Sequence, residues 1–246
     1  MIDKYSLLRS RLSDFVEKSY TETGFLKFTD FLDEFECSTV IDYFKSIYFE
    51  NYILFGGYEE ATRKILAVYS SDAPLKFPIS LLKLEFSNAE YLGHRNILGA
   101  LMNLNISRSL IGDICISENL AFVFCLPSAE TIIKNELEYV GKSRVVVSET
   151  DDFKDYTPKT QIETYSISSE RLDCIVSAVV NSSRNKAEDL INSSLVFVNG
   201  SIEKNTAKKI KENSKISVRG FGKFKIIDMS ERTRRDRIKL KILKFI

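Results

Sequence analysis

Apolar positions along the chain change period several times, and those changes divide it into elements. Near the start Tyr5, Leu8, Leu12, Phe15 and Val16 recur at helical spacing. Phe25–Phe35, rich in phenylalanine and acidic residues, predicts a turn into a second helix, and Val40–Phe49 a further amphipathic one. Tyr52–Phe55 reads as a strand closing at Gly56-Gly57, followed by a short helix after Tyr58 and a strand at Ile65–Tyr69. Pro74 and Pro78 then bracket a boundary. Beyond them come a strand (Ile79–Phe86), a helix (about Leu92–Leu104), two strands (Asp113–Ser117 and Leu120–Leu126), a helix (about Ser128–Tyr139) and a strand (Arg144–Ser148). This βαββαβ order is the ferredoxin-like split βαβ, which RNA-recognition motifs also use. The third strand offers Ala121-Phe122-Val123-Phe124 but lacks the basic-Gly-aromatic lead of a base-stacking surface, so its aromatics are expected in the core.

Glu149–Ser169 is polar, carries Pro158 and predicts a linker, with a strand-like stretch at Gln161–Ile167 whose partner the pattern leaves open. The rest of the chain is organised around Arg171–Ile226. Leu172, Ile175, Val176, Val179 and Val180 form one apolar helical stripe with Arg171 at its open end. After Asn181-Ser182, Ser183 is suited to cap a second helix whose Ala187, Leu190 and Ile191 share a face. Arg184 and Lys186 occupy the first turn of that helix, where the dipole disfavours cations, so an external anion explains them better than helix stability does. Leu195–Val198 then runs into Asn199-Gly200, a hairpin signal. Lys215–Arg219 is a strand entering Gly220-Phe221-Gly222, and Ile238–Phe245 alternates as a basic-faced terminal strand.

Charge sharpens this division. The net charge of +1 is uninformative, but Arg171–Ile246 holds 18 Lys and Arg against 8 Asp and Glu, and the preceding residues 17 against 26. An acidic body joined to a basic module is the footprint of a nucleic-acid binder whose contact surface lies in one domain. Four cysteines without CxxC spacing point to reduced thiols in a cytoplasmic protein and away from zinc. The charged N-terminus lacks a signal-peptide apolar run, and no stretch is long enough to span a membrane.

The run Arg171-Leu172-Asp173, then Ser183-Arg184 with Ala187 and Ile191, then Val196–Gly200, then Ile216–Arg219 resembles the S4 RNA-binding domain. Two turn positions depart from that family: Ser194 stands where a glycine is usual, and Asn213-Ser214 replaces a Gly-Asp turn. Two further stretches, Phe55–Lys64 and Gly93–Ala100 through Ile106-Ser107-Arg108 to Ile111–Ile114, are similar to the motifs of the YlmH family of bacterial proteins. There Thr62 stands where the family tends to have Glu, and Asn96 where it tends to have Asp.

The expected fold is therefore α+β: an N-terminal α/β segment (1–73), an RRM-like ferredoxin-fold domain (74–150) and an S4-type (αααβ-like) domain (168–246). The resemblance implies a ribosome-associated RNA-binding protein of quality control on stalled ribosomes, a cytoplasmic monomer that grips ribosomal RNA and tRNA on the large subunit. Its expected RNA contacts are Arg171, Asp173, Ser183, Arg184, Lys186, Asn199, Lys204, Arg219 and Lys223.

Catalysis finds little support in the sequence. His94 is the only histidine and is flanked by Arg95, with no nucleophile marked by motif; a structural or RNA-facing role suits it better than acid-base work. No metal-ligand spacing, methyl-donor loop or nucleotide signature stands in residues 1–170, so no cofactor is expected. S4-type modules also accompany pseudouridine synthases and rRNA methyltransferases, which makes an RNA-modifying enzyme the alternative.

Overall fold

The computed structural model describes residues 4–70, 76–88, 93–117, 119–153, 156 and 160–245. The chain divides into two units, Met1–Thr157 and Pro158–Ile246. The expected boundary at Pro74, the helix start at Leu92, the side chain of Tyr5 and the linker's Pro158 lie outside the described residues.

The first unit opens with α1 (Lys4–Thr21), β1 (Leu26–Leu32), α2 (Glu34–Ser46), β2 (Tyr52–Phe55) and β3 (Lys64–Tyr69). Its three strands form an antiparallel sheet in the order β1-β3-β2. Leu8, Leu12, Phe15 and Val16 of α1 do share one face, packed with Val40 and Phe44 of α2 over Leu66 and Val68. Two expectations are corrected here. Leu26–Leu32 is a strand instead of a turn into a helix, because β3, well downstream, supplies the hydrogen-bonding partner that local sequence does not show. α2 starts at Glu34, earlier than the apolar pattern indicates, because Asp33 and Glu36 form a reciprocal capping box: Glu36 N–H donates to Asp33 Oδ1 and Asp33 N–H to Glu36 Oε2, each at 2.8 Å.

The same unit continues with β4 (Ser80–Phe86), α3 (His94–Asn103), β5 (Ile111–Ser117), β6 (Leu120–Cys125), α4 (Pro127–Glu136), β7 (Tyr139–Val140) and β8 (Ser143–Glu149). Their sheet order, β5-β6-β4-β8-β7, is the ferredoxin-like arrangement with β7 added at one edge. One sheet face packs Leu82, Leu84 and Val123 against Ile97, Leu101, Ala129 and Ile133 of the two helices. The other face, on which an RNA-recognition motif stacks bases, is occupied by protein. Phe122 and Phe124 are 1% and 2% exposed, covered by Phe31 and Ile65 of the N-terminal sheet together with Tyr58 and Phe153. The Tyr58 ring stacks on Phe124 at 5.1 Å between centroids.

That packing dictates the segment after Tyr58, which is a run of turns and not the expected helix. Asp113 on β5 organises it by accepting hydrogen bonds from Tyr58 Oη (2.9 Å), Thr62 N–H (2.6 Å) and Arg63 N–H (3.0 Å). Arg63 in turn donates to the carbonyls of Ile111 (2.9 Å) and Phe31 (2.9 Å). The Gly-Gly pair is required by close approach: a Cβ on Gly57, at φ +100°, would fall 2.4 Å from the Phe124 ring.

The second unit contains β9 (Thr160–Ile167), α5 (Leu172–Val179), α6 (Arg184–Asn192), β10 (Val196–Val198), β11 (Ser201–Ile202), β12 (Lys215–Val218), β13 (Gly222–Asp228) and β14 (Ile238–Phe245). The six strands form one antiparallel sheet, ordered β11-β10-β12-β13-β14-β9. β9, the strand-like part of the expected linker, pairs with β14 along its whole length, from Ile167 opposite Ile238 to Thr160 opposite Phe245. α5 and α6 cover one face of this sheet, where Leu172, Ile175, Val176, Leu190 and Ile191 meet Val196, Val198, Ile216, Val218, Phe224, Ile226, Leu240 and Ile242. The two departures noted from the S4 pattern both lie at left-handed backbone positions, Ser194 at φ +59° and Asn213 at φ +64°. A glycine is free of strain there; a serine is not.

Candidate nucleic-acid interface

α5 begins at Leu172 with Arg171 as its N-cap residue, and its first N–H groups are already used: Leu172 donates to Lys208 O (2.9 Å) and Asp173 to Thr206 O (3.0 Å). The helix start is therefore closed to an anion through its backbone. Side chains do the work instead. Asp173, fully buried, accepts from Arg171 Nε (3.2 Å) and Nη2 (2.6 Å), from Arg184 Nε (3.2 Å) and Nη2 (2.8 Å), and from Cys174 N–H (2.7 Å). Burial alone would raise its pKa, but the hydrogen bonds from Arg171 and Arg184 overrule that and hold the carboxyl well below the usual range.

One buried carboxylate thus fixes two guanidinium groups that begin different helices. The arginine side chains are 36% and 49% exposed. Each commits its Nε–Nη2 edge to Asp173, and Nη1 makes no protein hydrogen bond among the described residues. Glu188, one turn along α6, also pairs with Arg184 Nε at 3.6 Å, so two guanidinium groups stand against two carboxylates, and what the cluster offers solvent is planar donors held in place: an arrangement suited to phosphate. The cation at the start of α6, expected to require an external anion, has this internal one.

The remaining sequence-derived positions distribute as follows. Ser183 is the N-cap of α6, its Oγ accepting from Lys186 N–H at 3.2 Å, and the Lys186 side chain is exposed beside Arg184 on the same turn. Asn199, at φ +52°, accepts through its Oδ1 from Lys215 N–H (2.8 Å) and closes the end of the β10–β12 pair. Lys204 and Arg219 are exposed, Arg219 directly after β12. Lys223 lies on β13 next to Phe224; since Phe224 points into the core, Lys223 belongs to the sheet face turned away from the helices. Sequence reasoning missed Lys208 and Lys209, which the bridge between Arg171 and Lys209 sets beside the arginine pair. The adjacent lysines were visible, but not where their loop would lie.

In the first unit the family-like motif positions hold backbone. Besides Thr62 N–H on Asp113, Asn96 Oδ1 accepts from Gly93 N–H (3.1 Å) at the start of α3. The His94 pKa is lowered, first by desolvation and then by the Arg108 cation, with Asp113 opposing. Among the described residues no group of three or more His, Cys, Asp or Glu is arranged to hold a metal, and no helix is long and apolar enough to cross a membrane.

The domains present are those of an RNA-binding protein built on an S4 domain: the family model described as "S4 domain" matches residues 170–216, and the one described as "Putative RNA-binding domain in YlmH" matches residues 74–154. The chain is 26% identical over 218 residues to ribosome-associated protein quality control protein P2 of Bacillus subtilis (strain 168), covering 86% of this chain and 84% of that relative. Its fold is similar to the solved structure of cell division protein ylmH from Streptococcus pneumoniae, with a TM-score of 0.50 and 22% identity over 61% of this chain and 93% of that one. The chain thus carries an S4 domain and a domain that matches the RNA-binding domain model of YlmH, and it is similar along most of its length to the Bacillus subtilis protein.

Proposed function

We propose that this protein is a non-catalytic, monomeric, cytoplasmic factor of ribosome-associated quality control that binds ribosomal RNA and tRNA on the large subunit through its S4 domain. The observation that carries this reading is the Arg171–Asp173–Arg184 cluster, two exposed guanidinium groups oriented by one buried carboxylate in a basic module. The name of the Bacillus subtilis relative supports the ribosomal setting. The sheet face of the RRM-like domain is covered by aromatic side chains, so base stacking there does not contribute.

The test is binding of a large-subunit rRNA transcript to the full chain across a range of salt concentrations. Arg184→Ala weakens binding to all RNA sequences alike and flattens the slope of log K against log salt by about 0.7 to 0.9, the value of one phosphate contact. Arg184→Lys recovers part of the loss, because an ammonium lacks the planar fork. A folded Arg184→Ala protein with unchanged affinity and slope refutes the assignment.

A further inference from the structure

The face of the second unit's sheet turned away from α5 and α6, on which Lys223 lies, carries more lysines. Along β12, β13 and β14 the core takes Ile216, Val218, Phe224, Ile226, Ile238, Leu240 and Ile242. Strand alternation therefore puts Lys215, Lys223, Lys225, Lys239 and Lys241 on the opposite face. Lys215 lies directly across from Lys225. Like charges in such a pair oppose sheet formation, so this face is arranged against the stability of the sheet that carries it.

Protection from edge-to-edge aggregation does not account for the pattern. Lysines that serve that purpose belong on edge strands. The edges here are β11 and β9, and the equivalent outward positions of β9 are Ile162, Thr164 and Ser166. Internal neutralisation is incomplete as well. Glu231 pairs with Lys239 at 2.8 Å, and Asp228, across from Lys241, accepts from Ser230 N–H and Oγ. Lys225 makes no ion pair among the described residues, and its neighbour in register is Leu243, followed by Ile162. Apolar and cationic positions thus interleave across the three lysine-bearing strands and β9.

We propose that this face is a second RNA-binding surface, contacting the phosphate backbone of structured RNA independently of the Arg171–Asp173–Arg184 cluster. Charge complementarity selects a polyanion. Neighbouring strands about 4.8 Å apart and alternate residues about 6.7 Å apart along each strand give a flat lattice of ammonium groups. Lysines of this kind act as point charges without the planar fork that recognises a carboxylate in one orientation, which suits a continuous backbone more than individual acidic side chains. The surface reads no bases; it adds sequence-independent affinity and salt dependence.

The experiment uses the full chain and a large-subunit rRNA transcript, comparing wild type, Lys225→Gln with Lys241→Gln, Arg184→Ala, and all three substitutions together. The two-lysine variant is expected to lose about 1.4 to 1.8 from the salt slope, two contacts' worth, and to bind more weakly at low salt. Its melting temperature stays level or rises, since the Lys215–Lys225 repulsion is gone. In the triple variant the losses of the two parents multiply. Acylation footprinting gives a second measurement, with Lys225 and Lys241 protected when RNA is bound.

Wild-type affinity and slope in the folded two-lysine variant, or equal acylation of both lysines with and without RNA, overturns the proposal. So does loss of poly-glutamate binding with RNA binding intact, which would assign the face to an acidic protein. If only Arg184→Ala weakens binding, the lysine face falls and the helix-end site stands; if only the lysine pair does, the reverse holds.

Discussion

Asp173→Asn separates preorganised recognition from simple charge attraction, because the two predict opposite signs. The substitution removes one negative charge from the basic module, so long-range attraction to RNA rises. It also removes the acceptor that holds Arg171 and Arg184 side by side. An amide oxygen can keep the Cys174 N–H bond at 2.7 Å but cannot accept all four bonds from the two arginines. Charge-assisted hydrogen bonds are worth about 1.5–3 kcal/mol each at a buried group. Both arginines are partly exposed, so water replaces much of that, and the net loss is expected at about 2–3 kcal/mol for the buried Asp173. For a module of this size that is roughly 10–20 °C in the melting transition of Pro158–Ile246, followed by calorimetry on the full chain. The carboxylate's contribution also sets an acid limb. Its folded pKa lies below the ordinary value, so the stability it supplies is complete above about pH 4 and is lost as pH falls further, through the folded pKa. Asp173→Asn should lack this limb and behave like wild type in its pH dependence between 5 and 8. RNA affinity in the variant, read by anisotropy at a temperature where it is folded, should drop about tenfold despite the added positive charge. A variant that melts within 2 °C of wild type, or binds RNA as tightly or more tightly, refutes the reasoning.

Other outcomes follow from the same geometry. Ser194→Gly relieves a left-handed residue and is expected to stabilise the second unit by about 0.5–1 kcal/mol, measured by denaturant midpoint, whereas Asn213→Gly gains less because asparagine tolerates that conformation. Asp113→Ala strands the N–H groups of Thr62 and Arg63 and should cost the first unit about 2–4 kcal/mol while leaving RNA affinity unchanged in the folded protein; equal loss in both properties would contradict the assignment of RNA binding to the second unit. All four cysteines are buried, and burial pushes the Cys37 and Cys125 thiols up to about 12, so alkylation at pH 8 should be slow until the chain unfolds. The stability gained by keeping those two thiols protonated is present below the ordinary thiol range and is lost as pH rises toward 12.

What the sequence by itself determined is local. The apolar stripes of α5 and α6, the Ser183 cap, the Asn199-Gly200 hairpin and the βαββαβ order all depend on residues a few positions apart, and all are present in the structure. Arg171 and Arg184 were legible as the ends of two helices for the same reason. Three things were decided only in tertiary structure. Leu26–Leu32 became a strand because β3 was there to pair with it, and Gln161–Ile167 joined the second unit's sheet because β14 was. Asp173 came to hold both arginines because the packing of α5 against α6 brings together side chains eleven residues apart. Lys215 met Lys225 because antiparallel pairing places them opposite each other, a juxtaposition no helical or strand period encodes. Period in a sequence fixes which face of an element is buried; which charges then share the exposed face depends on register, and register is set by the assembled sheet.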